Sequence, residues 1–257
     1  MHLDFVSILS SGSCGNAILV GSEGRGVLID AGISCKELEK KMSAVGYQPS
    51  QIDALVVTHE HTDHVRGARR FCIENGLAIH GTRGTLALTP SEGVRTVTFH
   101  AGSEFKIGNV RLRPFKVRHM AAEPVGLRLT LGTGSISIAT DLGSVTPTVV
   151  RELAGSMILV VEANYDENML RSGTYPEFLK NAIAGDYGHL SNANAGDLVS
   201  RSAADSTRRV VLAHLSRENN KPELARDAVE AAVRGMRDTL KVDVTEHGGS
   251  SGPFALR

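Results

Sequence analysis

His59-Glu60-His61-Thr62-Asp63-His64 brings three histidines and an aspartate into six residues. Imidazole nitrogens and carboxylate oxygens are the borderline ligands that suit zinc and its first-row neighbours. In an extended segment side chains two apart point the same way, so His59 and His61 can share one metal ion. A turn at Thr62 would aim Asp63 and His64 at a second ion alongside. The bland alternative is a solvent-exposed polar loop with coincidental histidines, and the density of ligand types argues against it. Hydrolysis by metal-activated water is the chemistry such a cluster offers.

A two-metal site needs more ligands, and the sequence offers them after apolar, strand-like runs. His119 ends RPFKVRH, Asp141 ends SISIATD and His214 ends RVVLAH. A side chain placed there projects at the rim of a sheet. Asp30, in Ile29-Asp30-Ala31-Gly32, is a further strand-end carboxylate. It is expected to orient a ligand histidine through its ring N–H; an ordinary turn aspartate is the alternative. His189, in Gly188-His189-Leu190-Ser191-Asn192, sits at an expected helix start 25 residues before His214. SSGSCGN at 10–16 reads equally as an anion-binding loop or a plain strand-to-strand turn. Arg66, Arg69 and Arg70 share one helix, where a solvated face is the better reading than a nucleic-acid contact.

These residues need elements to position them. Leu3–Leu9, Ala17–Val20 and Gly26–Asp30 read as short strands separated by turn-rich segments. Ser34 and Glu37 form a capping box that opens a helix to about Val45. Ile52–Thr58 is a compact strand leading into the histidine cluster, and a helix from about His64 to Glu74 follows, stopped at Asn75-Gly76. Residues 94–140 read as a run of strands: VRTVTF, NVRLRPFKV, GLRLTL and SISIAT. Then come the strand Met157–Glu162, a polar helix from Asp166 to about Ile183, and a helix from near Asn192. The strand Arg209–His214 and a helix from Pro222 to about Met236 follow. This order predicts one α/β domain over residues 1–257, with two β-sheets packed together and helices outside. The end of the chain, HGGSSGPFALR, reads as a loosely held tail.

Composition narrows the setting. The chain has 257 residues, 41% of them hydrophobic, enough to bury a sizeable core. Its 28 basic and 28 acidic residues cancel, so a polyanionic substrate must be attracted locally, at the site. Cys14, Cys35 and Cys72 are an odd number without CxxC spacing, which points to a reduced, cytoplasmic protein without a disulfide framework. The N-terminal segment lacks the pattern of a signal peptide, and no run approaches the ~18 apolar residues of a membrane helix.

Taken together, the strand-end Asp30, HEHTDH, His119, Asp141 and His214, in that order, resemble the metallo-β-lactamase-fold hydrolases over nearly the whole chain. The resemblance implies an αββα sandwich with the site at one edge. It implies that His59, His61 and His119 bind one metal ion, that Asp63, His64 and His214 bind the other, and that Asp141 bridges them. SSGSCGN, AAEPVG, TDLG, GHLSN and LAHLSRENN are further similar to the YycJ/WalJ-like branch, associated with nuclease activity including 5′-to-3′ exonuclease action on DNA. That likeness implies a phosphodiesterase with two divalent ions, Zn²⁺ or Mn²⁺ with Fe²⁺ also suited, acting on nucleic acid and on DNA by preference. Asp63 would orient the attacking hydroxide. His189 would protonate the leaving oxygen or stabilise charge on the phosphate, with a capping or packing role as the alternative. Ser13, Asn16 and Asn219 are expected to line a pocket for the terminal phosphate. In one respect the chain departs from the branch: an acidic residue often follows the third-motif histidine, and here Met120 stands there. A thioester or lactone hydrolase of the glyoxalase II kind, or a small cyclic phosphodiesterase, would use the same site. A non-catalytic zinc protein is disfavoured, because structural zinc sites are closed by four ligands and rich in Cys.

Overall fold

Runs such as Val27-Leu28-Ile29 and Ile158-Leu159-Val160-Val161 are apolar on both faces, which suits strands covered on both sides. In the computed structural model, which describes residues 4–236 and 239–256, two seven-stranded sheets meet face to face with helices outside. The first sheet contains β1 (Phe5–Ser10), β2 (Ala17–Ser22), β3 (Arg25–Ile29), β4 (Ile52–Val56), β5 (Ile79–Gly81) and β6 (Thr96–Thr98). The second contains β7 (Phe105–Ile107), β8 (Val110–Lys116), β9 (Val125–Leu131) and β10 (Gly134–Ala139), then β11 (Ile158–Glu162), β12 (Arg209–Ala213) and β13 (Lys241–Val244). A last strand, β14 (Ser251–Ala255), joins the first sheet beside β1.

Alternation along each strand divides the core into three layers. Val27 and Ile29, Ala54 and Val56, Ile136 and Ile138, Ile158 and Val160 fill the space between the sheets. Leu28 and Leu55 point outward against α1 (Cys35–Ala44) and its neighbours α2 (Thr62–Val65) and α3 (Ala68–Asn75). α4 (Arg83–Leu88) packs on β5 and β6. Leu159, Val161, Val210 and Leu212 point outward on the other side. There α5 (Pro147–Leu153), α8 (Asn192–Ser202) and α9 (Pro222–Ala232) cover them, while α6 (Glu167–Ser172) and α7 (Glu177–Ala184) run between β11 and α8. This is the αββα architecture expected from the sequence.

Strand direction is what gathers the chemistry. β3 and β4 are parallel, β10 to β13 are parallel, and β8 runs with β10 because both are antiparallel to β9. The segments that follow the C-terminal ends of these strands carry Asp30, His59, His119, Asp141 and His214 to one edge of the sandwich.

The structure corrects several expectations. HGGSSGPFALR is not a loose tail: Phe5 pairs with Ala255 and Val6 with Phe254, and Leu256 is buried between the sheets. Gly and Ser disguise the strand, and Pro253 is tolerated because β14 lies at the sheet edge. The helix expected over 64–74 is two helices, α2 and α3, broken where Gly67 donates to the Ala31 carbonyl at 2.8 Å. The helix expected over 166–183 also divides, into α6 and α7 around Gly173–Pro176. Leu3 lies outside the described residues. Cys14, Cys35 and Cys72 are free thiols, and no described helix is long and apolar enough to cross a membrane.

Candidate metal centre

β4 delivers Val57-Thr58 and then His59. His61 is the extended cap residue before α2, so His59 and His61 precede the turn while Asp63 and His64 lie on the helix after it. The loop after β3 packs directly on this segment. A Cβ on Gly32 would lie 1.6 Å from the Asp63 carbonyl oxygen, and one on Gly67 would lie 2.1 Å from the Ile33 carbonyl oxygen. Only glycine permits these backbone contacts.

Asp30, Asp141 and His214 follow β3, β10 and β12 with φ of +59°, +56° and +57°. The left-handed conformation costs an L-residue about 1–2 kcal/mol, and such strain clusters at functional sites. In all three the chain turns sharply at the strand end and aims the side chain along the rim.

The side chains converge. His59, His61 and His119 each offer a nitrogen to one common position, and Asp63, His64 and His214 offer atoms to a second. Asp141 lies between the two sets. One carboxylate oxygen is 3.3 Å from His64 Nε2, and the other is 3.4 Å from His214 Nε2 and 3.8 Å from His119 Nε2.

Behind the cluster, a ring of acceptors fixes which imidazole nitrogen faces inward. Asp30 accepts from His64 Nδ1 at 2.7 Å and is itself held by the Thr58 N–H and hydroxyl, both at 2.8 Å. Thr58 Oγ1 lies 3.1 Å from His59 Nδ1. His119 Nδ1 donates to the Gly188 carbonyl and His61 Nε2 to the Met120 carbonyl, each at 3.0 Å. Glu162 Oε1 accepts from His189 Nδ1 at 2.7 Å and from His214 Nδ1 at 3.0 Å. Its other oxygen accepts from the N–H groups of Leu142 and Leu190.

Electrostatics divides the cluster. Burial, reinforced by the neighbouring His64, holds His59 well below the ordinary imidazole range, and burial also lowers His119. His64 is pushed up to about 10: burial opposes its charge, but Asp141 and Asp30 outweigh it. His214 is likewise held well above its usual range against the effect of burial, by Asp141, Asp63 and Glu162. Burial would raise Asp141, yet His214 and His64 hold it well below the usual carboxylate range. Glu162 falls to about 2 for the same kind of reason, with His189 and His214 overcoming burial. One half of the cluster thus favours neutral imidazole, and the other concentrates buried negative charge.

These residues fit a pair of divalent cations. His59 Nε2, His214 Nε2 and Asp141 Oδ2 are buried atoms without a hydrogen-bond partner, all aimed into the cluster. Orphaned polar atoms of this kind are costly unless an ion takes them up.

Every residue expected as a ligand lies in the cluster, with Asp30 behind it and His189 beside it. The other expected residues are placed as follows. Ser13 is exposed on the loop after β1. Asn16 is buried, its amide nitrogen 3.2 Å from Asp63 Oδ2 and 3.0 Å from His64 Nε2. Asn219 is buried, and its carbonyl accepts from the Asp166 N–H at 2.8 Å. The SSGSCGN loop spends the N–H groups of Gly12, Gly15 and Asn16 on internal acceptors, which favours the turn reading. Arg66 donates to the carbonyls of Cys14 and Gly32, while Arg69 and Arg70 face Glu92 and Glu74. Sequence reading missed Glu162 and Thr58. Glu162 ends an apolar strand just as Asp30 does, and that signal was available to find it.

A His/Asp cluster shaped for two metal ions, at the edge of an αββα sandwich, defines a metallo-β-lactamase-fold protein. The chain belongs to the beta-lactamase superfamily, whose domain profile matches residues 25–215. It is 32% identical over 226 residues to the exodeoxyribonuclease WalJ of Streptococcus pneumoniae, covering 85% of this chain and 84% of that protein. It is also 32% identical over 257 residues to the exodeoxyribonuclease YycJ of Bacillus anthracis, covering 96% of each. Among solved structures, the metallo-beta-lactamase fold protein YhfI of Bacillus subtilis superposes with a TM-score of 0.72 at 15% identity, over 96% of this chain and 98% of that one.

Proposed function

We propose that this chain is a metal-dependent phosphodiesterase that removes nucleotides from the 5′ end of DNA. His59, His61 and His119 would hold one ion, Asp63, His64 and His214 the other, and Asp141 would lie between them; Zn²⁺ and Mn²⁺ suit these ligands, and Fe²⁺ also does. The observation that carries the reading is a second proton-bearing histidine, His189, seated on Glu162 beside the cluster. Thioester hydrolysis has no need of an acid there, whereas an alkoxide leaving from phosphorus does. DNA as substrate is supported by the likeness to two proteins named exodeoxyribonucleases.

When bound, two such ions would make water a nucleophile near neutral pH and offset charge on the phosphate oxygens. The remaining work falls to the chain. Glu162 accepts hydrogen bonds from the Nδ1–H groups of His189 and His214, which leaves both Nε2 atoms directed away from it. Burial opposes a proton on His189, but Glu162 outweighs burial and raises its proton affinity, so Nε2–H can be passed to the leaving oxygen. Asp63, steadied by the Asn16 amide, would orient the attacking water. Ser13, Asn16 and Asn219 remain the proposed lining for the terminal phosphate, with Ser13 the most accessible of the three.

The test gives Mn²⁺- or Zn²⁺-loaded protein DNA strands labelled at either end, with and without a 5′-phosphate, beside a closed circle. Early release of 5′-terminal nucleotides with an intact circle is expected. Equal cutting of the circle would make the protein an endonuclease. Rapid hydrolysis of a glutathione thioester without any DNA cleavage would overturn the phosphodiester reading.

A further inference from the structure

Met120 and Tyr187 are large apolar side chains left 67% and 55% exposed. Scattered exposed apolar residues need no explanation. These two differ in how they are held. The Met120 carbonyl accepts from His61, and the Gly188 carbonyl, next to Tyr187, accepts from His119. The Met120 N–H donates to the Tyr187 carbonyl at 3.0 Å. The backbone that aims two candidate ligands therefore also ties Met120 to Tyr187 beside the cluster.

The two loops are braced from behind. Glu60 accepts from the Ala122 N–H at 2.8 Å, and Ser144 donates to the Asp186 carbonyl at 2.7 Å. A Cβ on Gly143 would lie 2.5 Å from the backbone of Asp186 and of Gly188, so the turn carrying Tyr187 sits flat upon it. Among the described residues neither the Met120 nor the Tyr187 side chain makes a hydrogen bond or ring contact.

We infer that Tyr187 and Met120 form a nucleobase-binding lip, on which the base of the nucleotide being released is stacked. The inference rests on the DNA reading above and adds to it a place for the base. A phosphodiester held by the cluster must put its own base within a nucleotide's reach of the rim. A phenol ring stacks on any base, and a thioether packs favourably on an aromatic face. Neither side chain is charged, so the lip suits a base and not a phosphate.

The experiment compares two 5′-phosphorylated strands, one with a normal 5′-terminal nucleotide and one with a tetrahydrofuran abasic residue there. The unaltered, metal-loaded protein should prefer the strand with the base by about tenfold or more in kcat/KM. The preference should shrink towards one in the double variant Met120→Ala/Tyr187→Ala and persist in Tyr187→Phe. Because each preference is a ratio within one enzyme sample, incomplete metal loading cancels. Equal cutting of both strands by the unaltered protein, or an undiminished preference in the double variant, overturns the lip and leaves the nuclease reading standing. Failure to cut either strand overturns the nuclease reading and the lip with it.

Discussion

Glu162 spends one carboxylate oxygen on two imidazoles at once, and this governs what its replacement should do. Glu162→Gln keeps the size but removes the buried charge and one acceptor, so the amide nitrogen must face either both ring N–H groups or the N–H groups of Leu142 and Leu190. Metal affinity is expected to fall about 10- to 100-fold, as for other residues that hold a ligand from behind. Competition with a chromophoric chelator measures it, and unchanged affinity would deny Glu162 that task. His189→Ala separates chemistry from metal binding. Turnover on DNA should drop by about 10²–10⁴, with metal content still near two ions per chain. His59→Ala and Asp141→Ala should lose both metal and turnover. Elemental analysis of the three variants decides, and a His189→Ala protein as poor in metal as the other two would make His189 a ligand. At this scale the sequence was informative because ligand chemistry is local: HEHTDH announces itself, and each partner stands just after an apolar run. Glu162 obeys the same strand-end rule, but its pairing with His189 and His214, like that of Thr58 with Asp30, joins segments distant in sequence and follows only from the fold.

Elements matter through the glycines that let them touch. Gly32→Ala would force a methyl into the Asp63 carbonyl, backbone against backbone, where no side chain can swing aside. A stability loss of about 3 kcal/mol or more is expected, together with weakened binding at the ion held by Asp63, His64 and His214. Gly46→Ala is the control: its φ of +78° is strained for alanine but its surroundings are open, so about 1 kcal/mol is expected and metal content should not change. Urea midpoints and metal analysis compare the pair, and equal effects would remove the packing explanation. The two-sheet architecture was legible because strands buried on both faces are written as continuous apolar runs. Helix ends were less so: α2 and α3 are divided at Gly67, whose close packing on the preceding loop cannot be read from a single glycine. Short strands such as β5 and β13 carry too few residues to show a period, and β14 is hidden by its glycines and serines.

The molecule as a whole carries 28 basic and 28 acidic residues, so distant charge does not draw in a polyanion. Attraction must be concentrated at the rim, where two bound cations would outweigh Asp63 and Asp141. A protein of this kind should grip few phosphates. For single-stranded DNA each phosphate contact contributes about −0.7 to the slope of log affinity against log salt. Two to three contacts give a slope of roughly −2, a loss of roughly 10- to 20-fold between 50 and 200 mM salt. The measurement is fluorescence anisotropy of a labelled 5′-phosphorylated strand on metal-loaded His189→Ala protein, which should bind the strand without rapidly consuming it. A slope of about −5 or steeper would reveal a broad basic footprint and contradict a site-centred grip. The expected shallow slope also sets how the substrate is found: long-range steering contributes little, so the association rate should vary weakly with ionic strength. Selectivity for a strand end must then come from contacts made at the cluster itself.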